Sequence, residues 1–204
     1  MATYLGIDIG TSGTKALVMD ARAKVLATAT GEHAISAPRP GWSEQDPADW
    51  WQATVRAVRQ AIAKAGVDGR QVAGIGLSGQ MHGLVILDRG GKVLRPSIIW
   101  NDQRTAREAA EIESAVGGKK KLIALVGNVA QTSFTLTKLL WVRRNEPKTY
   151  DKIAHMLLPK DYIRLRLTGE FVGDVSEMSG TLILDQKKRN WSKKIISTFQ
   201  LDER

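Results

Sequence analysis

Residues 4–20 read YLGIDIGTSGTKALVMD, two strand-like runs joined by a turn that holds Gly10, Thr11, Ser12 and Gly13, with Asp8 before it and Lys15 just beyond. Apolar residues on both sides of the turn predict neighbouring antiparallel strands. A third run, KVLATATG, follows after a short ARA connection. A chain that opens this way is committed to a sheet meander before its first helix. The turn itself admits two readings. Its glycines serve hairpin geometry alone, or they let the backbone approach an anion and aim several N–H groups at it. In the second case the Thr11 and Ser12 hydroxyls add donors, and Asp8 can hold a hydrated magnesium ion. The spacing is neither that of a Walker loop nor that of a dinucleotide-binding turn.

Beyond the meander, APRPGWSEQDP (37–47) carries three of the six prolines and predicts an irregular surface loop. A helix is predicted from Pro47, with Asp46 as N-cap and Gly66 as its stop. Trp51, Val55, Val58 and Ile62 share a helical face and are expected to form its buried side. VAGIGLS (72–78) predicts a buried strand by its continuous apolar run and leads into the polar, glycine-flanked GQMHG. LVIL and DRGGKVL predict a hairpin, and SIIW (97–100) a short strand that delivers NDQR. Helices are predicted in RTAREAAEIESAVG, TLTKLLWVRRN, PKDYIRLRLTG and the terminal STFQLDER. Strands first, then strands alternating with helices, predict a mixed α/β layered fold.

Charge and composition narrow the function classes. The net charge is +9, sharpest in GGKKKL and DQKKRNWSKK. Apart from Trp191, aromatic residues are not interleaved with these cations as stacking platforms, so solvated helix faces are expected rather than nucleic-acid binding. The absence of cysteine excludes a disulfide framework and thiolate metal sites and fits a cytoplasmic location. No apolar run is long enough to predict a membrane-spanning helix, and MATYLGID lacks the layout of a signal peptide.

Three segments carry a resemblance. GIDIGTSGTK resembles the first phosphate motif of the actin-like superfamily, which includes hexokinase, the heat-shock chaperones and the FGGY carbohydrate kinases. SFTLTKLLWVRRN (133–145) resembles the first FGGY signature, with Ser133, Thr135, Lys138, Trp141 and Asn145 at its spacing. GWSEQDPADWW, GLSGQMHGLVILD, IIWNDQR and LLPKDYIRLRLTGEFVGDVSEMSGT are most similar to the xylulokinase branch of that family. The resemblance covers essentially the whole chain. It implies an α/β, actin-like (ribonuclease H-like) ATPase domain, a mixed sheet with flanking helices, and residues 1–204 as an N-terminal sugar-binding domain.

The implied activity is transfer of the γ-phosphoryl group of ATP, with Mg2+, to D-xylulose, giving D-xylulose 5-phosphate. Asp8 would organise magnesium through water, and Thr11, Ser12, Gly13 and Lys15 would face the phosphates. Met81 and His82 would contact the sugar. A thioether packs on a carbon skeleton, and an imidazole offers neighbouring hydroxyls one donor and one acceptor. Gln80, Trp100 and Asp102 are further sugar-side candidates, with a core tryptophan and an N-cap aspartate as the structural alternatives for the last two. His33 and His155 match no motif and are read as structural or exposed. Lys138 and Trp141 are assigned to scaffolding.

In this family the base that accepts the hydroxyl proton is an aspartate in a GGxDN-type segment, which does not occur in these 204 residues. Asp174 in VGDVSEMSG matches an earlier segment. The expectation is therefore a chain that lacks the last strands of its own sheet and the C-terminal ATP-binding domain, and that phosphorylates nothing by itself. A homodimer is left open. Three rivals stand beside this reading. One is a family kinase for gluconate, ribulose or a glycerol-like polyol, and another is a catalytically dead sugar-binding module. A ribonuclease H-like nuclease, the third, needs further acids around Asp8.

Overall fold

The structure is a computed structural model and describes residues 2–202; residues 203 and 204 of the predicted terminal helix lie outside it. In chain order the elements begin with β1 (Thr3–Ile9), β2 (Gly13–Asp20), β3 (Val25–Glu32), β4 (Glu44–Gln45), α1 (Pro47–Ala65) and β5 (Val72–Gly79). They continue with β6 (Val85–Leu87), β7 (Ser97–Ile98), α2 (Ala106–Ala115), α3 (Lys119–Val126), α4 (Thr135–Asn145) and α5 (Pro147–Tyr150). The last are β8 (His155–Leu157), α6 (Pro159–Thr168), α7 (Val175–Met178), β9 (Leu184–Asp185), β10 (Asn190–Trp191) and α8 (Lys193–Phe199). They form two compact units, each with its own core.

The first unit comprises residues 1–36, 45–80 and 159–170. Its sheet has the order β3-β2-β1-β5, antiparallel except for the parallel pair β1–β5. Strand alternation sends Leu5, Ile7, Ile9, Ala16, Val18 and Ala29 to one face, where all are buried. α1 packs on that face against β2 and β3. Its N-terminus is as predicted: Asp46 accepts from the Ala48 N–H, Pro47 takes the first turn, and Gly66 closes the helix at φ 64°.

Its buried side is not the predicted one. Trp50, Ala53, Thr54, Ala57 and Ala61 are buried, whereas Trp51, Val55, Val58 and Ile62 are half-buried. At Ala53 the buried side has to be small because the helix lies very close to β3 there. A Cβ on Gly31 would come within 2.5 Å of the Ala53 carbonyl oxygen, a separation that large side chains cannot span. Trp51 lies instead under the guanidinium of Arg166, 4.6 Å from its ring centre.

β5 also departs from expectation. It is an edge strand with no fully buried residue, and Ile75 is 50% exposed. The apolar run was sufficient to predict a strand, but burial requires a neighbour on its second side.

The second unit comprises residues 37–44, 81–158 and 171–204. β6 pairs antiparallel with β8, placing Val85 opposite Leu157. Leu84, Ile86, Ile98, Leu136 and Val142 lie in its largest apolar cluster, with α2, α3 and α8 contributing Ile112, Leu122 and Ile195. Each such side chain, fully withdrawn from water, contributes roughly 1.5–3 kcal/mol. Among the described residues no helix is long and apolar enough to cross a membrane.

Candidate active site

In the first unit the opening turn is held from several sides. Gly10 donates its N–H to Gly13 O at 3.0 Å, and His33 donates its N–H to Ser12 O at 3.3 Å. Both glycines answer to crowding rather than to a left-handed backbone. A Cβ on Gly10 would lie 3.0 Å from Gly13 O, and one on Gly13 3.0 Å from Gly31 O. Thr11 and Gly13 are half-buried, and Ser12 is exposed.

Asp8 points to the sheet face opposite Ile7 and Ile9. The register aligns Thr30, Lys15, Asp8 and Ser78 in one row across all four strands, each of them exposed. This row lies just before the turn. It brings one carboxylate, one ammonium and two hydroxyls to a surface whose remaining rows include Gly6 and Gly76. Such a set suits a phosphate with its hydrated cation: the lysine and hydroxyls address oxygens, and a single carboxylate addresses metal-bound water. Among the described residues no cluster of three or more histidine or acidic side chains could enclose a metal ion.

Gln80 follows β5 and is buried. Its N–H donates to Ile9 O at 2.7 Å, and its side-chain Nε2 donates to Gln45 Oε1 at 2.8 Å.

The second unit holds Met81 and His82. Met81 is 54% exposed. His82 has φ 64°, a left-handed conformation unusual for a residue with a side chain. Its carbonyl accepts from Thr135 Oγ1 at 3.2 Å and Lys138 Nζ at 2.9 Å. Lys138 Nζ also donates to Ser133 O. The ring lies 4.5 Å from that of Phe134, and its Nδ1 edge is against Gly180, where an added Cβ would overlap the imidazole. Backbone and ring of His82 are thus fixed independently. Burial first, and the Lys138 charge second, push its pKa down to about 4, so the imidazole is neutral at physiological pH. Burial likewise pulls Lys138 down to about 7, against the attraction of Asp102.

Trp100, beyond β7, is 42% exposed. Asp102 has the opposite character and is fully buried. Its Oδ2 accepts from Ser43 N–H at 2.6 Å and Arg104 Nη2 at 2.7 Å, and its Oδ1 from Arg104 N–H and Nε, both at 2.9 Å. Arg104 reaches on to Glu44 at 2.7 Å and lies 3.6 Å above the Trp42 ring. Asp102 therefore pins the proline-rich loop, and its acceptor capacity is spent within the protein.

The family model for the N-terminal domain of FGGY carbohydrate kinases matches residues 3–204. The chain belongs to the FGGY family of carbohydrate kinases. It is similar to a xylulose kinase of Escherichia coli, 44% identical across 97% of this chain and 40% of that protein. In structure it is similar to a xyloylose kinase from Brucella ovis, with a TM-score of 0.93, 46% identity, and coverage of 98% of this chain and 42% of that one. It is also similar to a gluconate kinase from Lactobacillus acidophilus, with a TM-score of 0.91, 25% identity, and coverage of 98% and 41%. The chain thus spans about 40% of the length of the curated relatives it matches. The mixed sheet with flanking helices is the actin-like ATPase fold of these kinases.

Within the FGGY frame, some residues were legible in the sequence and others were not. The turn singles out Asp8 and Lys15, and the register makes them cross-strand partners. The sequence assigns Lys138 to scaffolding, and the carbonyl it supports is that of His82. No local pattern gives Gln45 or Gly180 a role, although both lie in segments that carry the resemblance. Their contacts are made with residues 34 and 98 positions away, which no local pattern encodes.

Proposed function

We propose that these residues carry the sugar-contacting and phosphate-facing groups of an ATP-dependent xylulose kinase. The observation that carries this reading is the imidazole of His82, fixed through both backbone and ring beside exposed Met81, in an FGGY chain whose similar curated relatives are xylulose kinases. With its Nδ1 edge buried against Gly180, the imidazole offers a sugar hydroxyl its Nε2, while Met81 covers the carbon skeleton. Trp100 offers a further apolar wall. Asp102 is left out of the sugar set because Arg104 and Ser43 occupy it.

On the phosphate side, Lys15, Ser12 and Thr11 address phosphate oxygens, and Asp8 orients water on the magnesium ion. MgATP, when bound, supplies the phosphoryl group and the charge neutralisation that its transfer requires. These residues bind and orient. The proton acceptor for the sugar hydroxyl belongs, on this reading, to the part of the relatives' length that the 204 residues do not span. The isolated chain is accordingly proposed to turn over no sugar.

The gluconate kinase among the structural neighbours makes substrate choice the point to test. ATP-dependent phosphorylation of D-xylulose, D-ribulose, gluconate and glycerol by the whole protein decides it. Preference for D-xylulose, lost in His82→Ala, is the expected result; preference for another acceptor refutes the xylulose assignment. Turnover by the 204-residue chain alone refutes the placement of the proton acceptor.

A further inference from the structure

Gln45, at the end of β4 in the first unit, has a buried side chain that is 2% exposed. Its Nε2 donates to Thr11 O at 2.7 Å and Ala34 O at 3.0 Å, and lies 3.1 Å from His33 Nδ1. Its Oε1 accepts from Trp50 Nε1 at 3.1 Å and Gln80 Nε2 at 2.8 Å. The amide has one orientation. An indole N–H can only donate, so the atom facing Trp50 is oxygen; backbone carbonyls only accept, so the atom facing Thr11 and Ala34 is nitrogen. Turning the amide over would break its bonds to Trp50, Thr11 and Ala34. The backbone is fixed as well, because Gln45 immediately precedes Asp46, the N-cap of α1.

We infer that Gln45 is a positioning residue that ties the phosphate-facing turn to the start of the sugar-contacting segment. Gln80 is held to the turn strand twice, by its own N–H on Ile9 O and by its side chain through Gln45 to Thr11 O. Met81 and His82 follow Gln80 directly in the chain. The amide of Gln45 touches neither proposed ligand group; within the first unit it fixes the backbone of the turn against Gln80. Its consequence for catalysis rests on the kinase reading above. Donor and acceptor have to be aligned to within an ångström or so, and slack in their support costs rate far more than it costs binding. A loosened tie also lets water replace the sugar hydroxyl. The bond from the γ-phosphorus to the bridging oxygen of ADP still breaks, but the new bond forms to a water oxygen, whose proton leaves to solvent.

The test uses Gln45→Met, which keeps the length of the side chain without its polar atoms. In the whole protein, kcat for sugar phosphorylation is expected to fall by about tenfold to a hundredfold with sugar KM changed by less than about threefold. ADP released per sugar phosphate formed is expected to rise above one, a ratio that loss of folded enzyme cannot move. In the 204-residue chain, hydrogen exchange at the Gly10 and Gln80 amides is expected to accelerate by about tenfold while the β2–β3 ladder is unchanged. Should Gln45→Met fail to fold, Trp50→Phe, which removes one donor to Oε1, is read by the same measurements. A coupling ratio that stays at one, with exchange unchanged, overturns the proposal. If the unaltered protein phosphorylates no sugar, the kinase reading fails, and the exchange measurement alone upholds or overturns the tie.

Discussion

The ammonium of Lys138 lies 2.9 Å from the carbonyl oxygen of His82, joining the signature helix to the residue proposed to hold the sugar. The lysine is fully buried and also donates to Ser133 O. Its task is to hold a carbonyl in a backbone conformation that few residues with side chains adopt. Lys138→Met is therefore expected to weaken sugar binding by about tenfold, the equivalent of one charged hydrogen bond at the lower end of its range. The His82 titration midpoint, followed by NMR, is expected to rise from about 4, because a neighbouring positive charge is gone. An unmoved midpoint together with unchanged sugar KM would remove Lys138 from this role.

Stability should depend on pH through the same pair. His82 titrates near 6.5 in an unfolded chain and at about 4 in the folded one. Between these values the unfolded chain binds a proton that the folded chain does not, so stability falls as pH drops through the window. Lys138 works in the same direction at higher pH: stability rises between about 7 and 10.5 as the unfolded chain alone keeps its proton. Urea midpoints across pH 4–8 measure the first effect, and His82→Asn should flatten it. Identical profiles for the two proteins would count against a buried neutral imidazole.

Asp102 separates a structural carboxylate from a substrate one. It is fully buried with Arg104, and replacing it by alanine leaves that guanidinium without its bidentate partner. Asp102→Ala is expected to cost about 3–5 kcal/mol of stability, read as a large fall in the thermal midpoint. Sugar preference of the remaining folded protein should be unchanged. A near-normal midpoint with altered sugar KM would return Asp102 to the binding set.

Asp8 is predicted to behave in the opposite way. It is exposed on the open face of the sheet, so Asp8→Asn should leave stability within about 0.5 kcal/mol of the original. Turnover by the whole protein should fall by about a hundredfold or more, as expected for a group that organises charge in the transition state. Chelation of magnesium should abolish turnover in the unaltered protein and leave the melting curve of the 204-residue chain unchanged. Retention of full activity in Asp8→Asn would place the metal elsewhere.

Much of this protein was legible without coordinates. Runs of alternating and apolar residues located the three opening strands, and the pairing of Asp46 with Pro47 and Gly66 bounded α1. The turn and the signature segment both point to the same family. These features are local, because caps, turn glycines and strand alternation act within a few residues of themselves.

What required the tertiary structure was every property that depends on a distant neighbour. VAGIGLS is a strand in either view, but its exposure follows from its place at the edge of the sheet. Trp51 and Trp50 are equally apolar on paper, but Trp50 is fully buried with its indole N–H on Gln45, and Trp51 is half-buried under Arg166. Asp102 offers the same carboxylate on paper as Asp8; Arg104 and Ser43 consume one, and an open sheet face exposes the other. The sequence alone determined which chemical groups the chain carries and which family it joins. Folding decided which groups spend their hydrogen bonds inside the protein and which keep them for a ligand, because a buried polar atom must be paired by whatever the fold brings beside it.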